Sequence, residues 1–225
     1  MKAKMIIRFF LFIIILFNYG CYSVYIPQTV DIPLIKEKKD IRVDIAASYP
    51  LISVNSTVSY GLLNHVAIQL HGSLSLFSYG YQGAIGYFNN LGNLKILEIY
   101  AGYGVFNDRS NDLMYTDAPT YDYSDHKIYF TQINFGKLYK NFEYGFGVKI
   151  GRISSNLLEE DYFNNVKSRS QNYYDNNFLI EPTIFIRYGF EKVKFNVKLG
   201  SCRIYKSSTS SQYSPFAISL GLNFN

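Results

Sequence analysis

Apolar and small or polar residues alternate through the C-terminal stretch. Phe216, Ile218, Leu220, Leu222 and Phe224 fall on one side of an extended chain, and Ala217, Ser219, Gly221 and Asn223 on the other, because successive strand side chains point to opposite faces. The pattern recurs upstream. Phe142, Tyr144, Phe146, Val148 and Ile150 alternate with Glu143, Gly145, Gly147, Lys149 and Gly151, and Val66, Ile68, Leu70, Leu74 and Leu76 with Ala67, Gln69, His71, Ser73 and Ser75. A terminal strand as apolar as 216–224 needs a neighbour on its open edge. Closing the sheet onto its first strand supplies one.

The same period predicts ten strands: 41–48, 52–60, 65–77, 79–88, 95–106, 126–137, 142–153, 178–188, 193–203 and the last. The second of these is weak. Eight strands result if it and one neighbour do not span. Two long polar loops are expected at 107–125 and 154–176, and Pro182 is expected to mark a bulge or strained point in its strand. The connections near Gly61, Asn89, Leu138 and Gly189 are short and fall at one end. The long ones fall at the other.

A soluble barrel buries its large apolar side chains, whereas here the second face carries Arg42, Asp44, Glu98, Glu143, Lys149, Glu181, Arg187, Lys194 and Lys198. The apolar face must then meet lipid. The fold class expected is therefore all-β, an antiparallel transmembrane up-and-down barrel over residues 41–225. In its alternation, its short turns at one end and its long loops at the other, the chain resembles the small outer-membrane β-barrel proteins of Gram-negative bacteria. That resemblance implies the cell outer membrane, outer-membrane lipid as surroundings, and a barrel-assembly machinery that reads a terminal aromatic residue. Here Phe224 stands one place before Asn225.

Lys2, Lys4 and Arg8 precede the apolar run 9–17, which is short for a membrane span and fits the core of a secretory signal peptide, assigned to residues 1–20. Gly20-Cys21 resembles the end of a bacterial lipoprotein signal. The resemblance implies cleavage before Cys21 and its lipidation, the alternative being an ordinary signal peptide. Residues 21–40, with Pro27, Pro33 and the run Lys36-Glu37-Lys38-Lys39, are expected to form an extended tether.

A net charge of +5 without a basic cluster gives no reason to expect a nucleic-acid partner. The 22 Tyr and 18 Phe with no Trp suit membrane girdles. Tyr115, Tyr121, Tyr123, Tyr162, Tyr173 and Tyr174, in the two long loops, are candidates for an external binding surface, because an aromatic ring with a polar tip gives contact area at low entropy cost. Glu98, Glu143, Lys149, Glu181, Arg187 and Lys198 are expected to form a charge network that fills the lumen. Among His65, His71 and His126, only His126 sits at the external end, but its chain neighbours Ser124 and Asp125 point to opposite faces and make no triad with it. The aspartates of 107–125 lack calcium-loop spacing. We expect a structural or surface-binding protein with an unidentified extracellular ligand, without catalysis, metal or cofactor. The alternatives are an enzyme acting on lipid A or peptides, and a narrow pore.

Overall fold

In the computed structural model, residues 29–49, 53–76, 78–111, 120–163, 166–205 and 216–225 are described. Cys21, the leader and the tip containing Tyr115 lie outside them. The strands are β1 (Ile41–Tyr49), β2 (Ser53–Leu63), β3 (Val66–Ser75), β4 (Ser78–Asn90), β5 (Lys95–Asn111), β6 (Thr120–Leu138), β7 (Phe142–Phe163), β8 (Val166–Gly189), β9 (Val193–Ser201), β10 (Arg203–Tyr205) and β11 (Phe216–Phe224). Each pairs antiparallel with its neighbours, and β1 pairs with β11, which pairs with β9, which returns to β8. The ring is closed. Because β10 follows β9 after one residue and pairs with the same strand, β8, the barrel has ten walls.

The eight-strand alternative drops out, since β2 is hydrogen-bonded along both sides, from Ser53 to Tyr60 against β1 and from Ser53 to Leu63 against β3. Its weak pattern has a simple cause. Ser53, Asn55, Thr57 and Ser59 all face the lumen, and on the outer face Val54 and Val58 are separated by Ser56.

Exposure runs opposite to that of a soluble protein. Leu70 is 62% exposed, Ile184 58% and Leu220 51%, while Glu98, Glu143 and Glu181 are 0% exposed. Only lipid makes that distribution stable. Two aromatic belts bound the apolar band. Tyr139 stacks with Tyr144 near the short turns, and at the other level Tyr103 lies 4.8 Å from Tyr129 and Phe178 lies 6.3 Å from Tyr205, centroid to centroid. On β7 the interval from Tyr144 to Arg152, the partner of Tyr129, suits the roughly 9–11 residues of a tilted spanning strand.

The two polar stretches predicted as loops are mostly strand. β5 continues to Asn111 and β6 begins at Thr120, while β7 runs to Phe163 and β8 starts at Val166. Alternation fades there because both faces of a sheet beyond the membrane meet water, yet the backbone ladder does not depend on side-chain polarity. The wall β5–β8 therefore rises well above β1, β9 and β11, which are nine residues each.

Pro182 keeps the regular register with Val148 of β7. On its other side the β8 ladder pairs Thr183 with Gly200 and Ile180 with Arg203, leaving Glu181 and Pro182 opposite Ser201 and Cys202. Proline has no N–H to give there. The interruption separates β9 from β10 without shifting the register, and Cys202, on the same inward face as Lys194, Asn196 and Lys198, is fully buried as a free thiol.

Candidate functional site

The lumen is occupied by the chain's own N-terminal segment. Val30, Ile32, Leu34 and Ile35 are 0–1% exposed inside the barrel. The described part of the segment begins at mid-height, where Thr29 Oγ1 lies 2.6 Å from Ser219 Oγ and the Val30 amide donates to Thr183 Oγ1 at 3.0 Å. It descends toward the short turns, where the Ile35 amide donates to Glu98 Oε1 at 2.7 Å. The charged run 36–39 then forms an exposed turn at the rim. There the Lys36 amide donates to Asp40 Oδ2 at 2.9 Å and the Lys39 amide to the Gly61 carbonyl at 2.7 Å.

Wall glycines make room for this passage. A Cβ on Gly147 would meet Ile32 Cδ1 at 2.9 Å, and one on Gly136 would meet Leu34 Cδ1 at 2.5 Å. These two positions serve close approach. Side chains of the wall satisfy the segment's backbone, since a buried strand without neighbours would strand its polar groups. Gln132 Nε2 and Gln69 Nε2 donate to the Asp31 carbonyl at 2.7 and 3.1 Å, and Arg187 Nη2 to the Ile32 carbonyl at 2.6 Å.

The six predicted lumen charges all line this interior, in more than one group. Glu143 is met by Arg42 at 3.2 Å, Lys194 at 3.2 Å and Arg187 at 3.3 Å. Lys198 holds Asp44 at 2.6 Å and Asp31 of the segment, and Arg187 approaches Asp44 at 3.9 Å, joining the two groups. Lys149 and Glu181 form a separate pair at 3.5 Å, with Lys149 also donating to Gln82 at 3.1 Å. Glu98 takes neutral donors, the Ile35 amide, Asn134 at 2.9 Å and the Tyr100 hydroxyl at 3.3 Å. Beside Asp31 and His71 the remaining space is about 10 Å³, room for about one water.

Sequence reasoning missed Asp31 and its neighbours. The signal was available: Val30, Ile32, Leu34 and Ile35 are too apolar for a solvated tether. His71 lies deep in the lumen, 2.8 Å from Thr57 Oγ1 and 3.1 Å from Asp31 Oδ2. His65 stays at the short-turn end, its Nδ1 3.1 Å from the Phe88 carbonyl oxygen.

Above the segment lies an apolar layer of Phe106, Ile128, Phe130, Ile153, Leu179 and Cys202. Over it, facing the lumen at the tall end, is His126, fully buried. Its Nδ1 is 2.7 Å from Ser155 Oγ, and its Nε2 is 3.2 Å from Asp108 Oδ2 and 3.1 Å from Ser124 Oγ. Asp125 points outward and takes a hydrogen bond from Asn107. Apart from Tyr115, which lies outside the described residues, the predicted long-loop tyrosines stand on the raised wall. Tyr121 and Tyr123 are in β6, Tyr162 in β7, and Tyr173 and Tyr174 in β8, with Tyr174 exposed.

No protein-family model matches the chain, and no curated protein matches it in sequence. Its fold is similar to that of the outer membrane protease OmpT from Escherichia coli, at 12% identity and a TM-score of 0.64, over 84% of this chain and 98% of that one. Weaker likenesses are to the KdgM porin, at 10% identity and a TM-score of 0.37, and to the translocator domain of the autotransporter NalP from Neisseria meningitidis, at 8% and 0.43. They cover 82% and 85% of this chain and 98% and 90% of theirs. At these identities the likeness concerns the fold alone.

Proposed function

We propose that the protein is a sealed outer-membrane barrel, a surface-binding or structural component that works through the raised wall β5–β8 on the outside of the cell. The observation that carries this reading is the segment Thr29–Ile35 in the lumen, fixed by Arg187, Gln132 and Lys198. A conducting barrel needs a continuous wet path, and buried ions paired across a narrow lumen leave none. The tall wall carries Tyr174, 74% exposed beyond the membrane, the kind of side chain that binding surfaces use. In this orientation the short turns face the periplasm, as they do in outer-membrane barrels generally. The leader is cleaved before Cys21, whose thiol and new amine are acylated.

Planar-bilayer recordings on the refolded chain test the seal. Conductance near the bare-membrane level is expected, and stable single-channel steps overturn it. Orientation is tested on intact cells by a membrane-impermeant maleimide. Tyr174→Cys is labelled above the parent chain's level, whereas Phe190→Cys, at a short turn, is labelled only after the membrane is breached. The reverse pattern overturns the assignment of sides. Labelled fatty acid enters the parent chain and is lost in Cys21→Ser; equal incorporation in both removes the lipid anchor.

A further inference from the structure

At the tall end of the lumen, three neighbouring strands each set a polar side chain above an apolar one two residues nearer the membrane centre. Asp108 stands over Phe106 on β5, His126 over Ile128 on β6, and Ser155 over Ile153 on β7. The register makes the contact, because His126 is directly opposite Ser155 and Asp108 is diagonal to His126.

The proton positions follow from chemistry. Asp108 Oδ2 is shielded from solvent and no described residue is aligned to hydrogen-bond it, so its approach to His126 is an ion-pair contact. A carboxylate is an acceptor only, so the imidazole proton belongs on Nε2, 3.2 Å away. Nδ1 then carries the lone pair. Ser155 Oγ, 2.7 Å away, must donate to it. A hydroxyl that donates to an imidazole oriented by a carboxylate is the arrangement of an activated nucleophile, recognised by geometry and not by sequence order.

We infer that Ser155, His126 and Asp108 form a serine-hydrolase site that takes carboxylic esters with an apolar acyl group, the acyl part resting on Phe106, Ile128 and Ile153. Ser155 Oγ adds to the ester carbonyl carbon as its proton passes to His126 Nδ1. The carbon–oxygen bond to the alcohol breaks, and the alcohol leaves with that proton. Water then gives a proton to Nδ1 and its oxygen to the acyl carbon, the bond to Oγ breaks, and Ser155 regains its proton. One ester and one water become one carboxylic acid and one alcohol. Asp108 is a positioning residue. The expectation of no catalysis rested on the chain neighbours of His126, whereas the partners come from adjacent strands. The inference does not depend on whether the lumen conducts or what the outer wall binds.

The test uses the full chain, extracted folded from the outer membrane in mild detergent, with heat-modifiable gel migration confirming the fold of every variant. A fluorophosphonate probe labels the parent covalently, and p-nitrophenyl esters of medium-chain acids are hydrolysed. Ser155→Ala abolishes both, and His126→Gln lowers the labelling rate by about 100-fold or more, as for removal of a general base. Asp108→Asn slows labelling while gel migration is unchanged. A folded parent that takes no probe, or a folded Ser155→Ala that takes as much, overturns the site.

Discussion

Arg187, on β8, donates from Nη2 to the carbonyl oxygen of Ile32 at 2.6 Å, and from Nη1 to Glu143 of β7 at 3.3 Å. One side chain thus ties the lumen segment to the barrel's main ion cluster. Guanidinium suits this because it offers several donors in a rigid fork. The segment is held by the wall's chemistry as well as by apolar contact.

Removing a charge from the joint should show it. Asp31→Ala leaves Lys198 with one carboxylate in place of two and takes from His71 and Thr57 the carboxylate they share, leaving those two 2.8 Å from each other. We expect a loss of about 3 kcal/mol, the range for breaking a buried ion pair from one side, read from urea unfolding of the refolded barrel in micelles. A loss within error of zero would mean that the segment does not occupy the lumen.

Gly147→Leu forces a side chain into the space of Ile32, whose atoms lie 2.9 Å from even a methyl at that position. The segment should be expelled while the wall survives. Protease added from the periplasmic side then cuts near residues 29–35, which the parent protects, and proteolysis followed by mass spectrometry reads the site.

Glu181→Ala leaves Lys149 without its 3.5 Å partner in a fully buried place. The expected cost is roughly 3 kcal/mol, with planar-bilayer conductance still near zero because the Thr29–Ile35 segment is untouched. A pore-lining residue would behave otherwise, with stability intact and ion selectivity altered.

Leu220→Arg places a cation on the outward face of β11, at a position 51% exposed to lipid. A loss of about 2–4 kcal/mol is expected near the bilayer midplane, measured as a shift in the unfolding midpoint. The neighbouring inward position should behave differently in kind. Ser219→Ala removes hydrogen bonds to Thr29 and Ser48 and should cost about 1 kcal/mol.

The sequence by itself determined the barrel. Strict alternation over Phe216–Phe224 and Phe142–Ile150, with Glu143 and Lys149 on the face opposite Phe146 and Val148, has one stable solution, apolar side to lipid and charges inward. That argument is local, since it needs only the two-residue period. It loses its grip where both faces meet the same solvent, so the upper reaches of β5–β8 read as loops. Only the tertiary structure decided what the inward residues meet. Asp31 finds Lys198 across 167 positions of chain, and His126 finds Ser155 and Asp108 on two other strands. The physical reason is register: hydrogen bonding across the sheet fixes which residues stand opposite each other, and ring closure brings the lumen segment against strands far away in sequence.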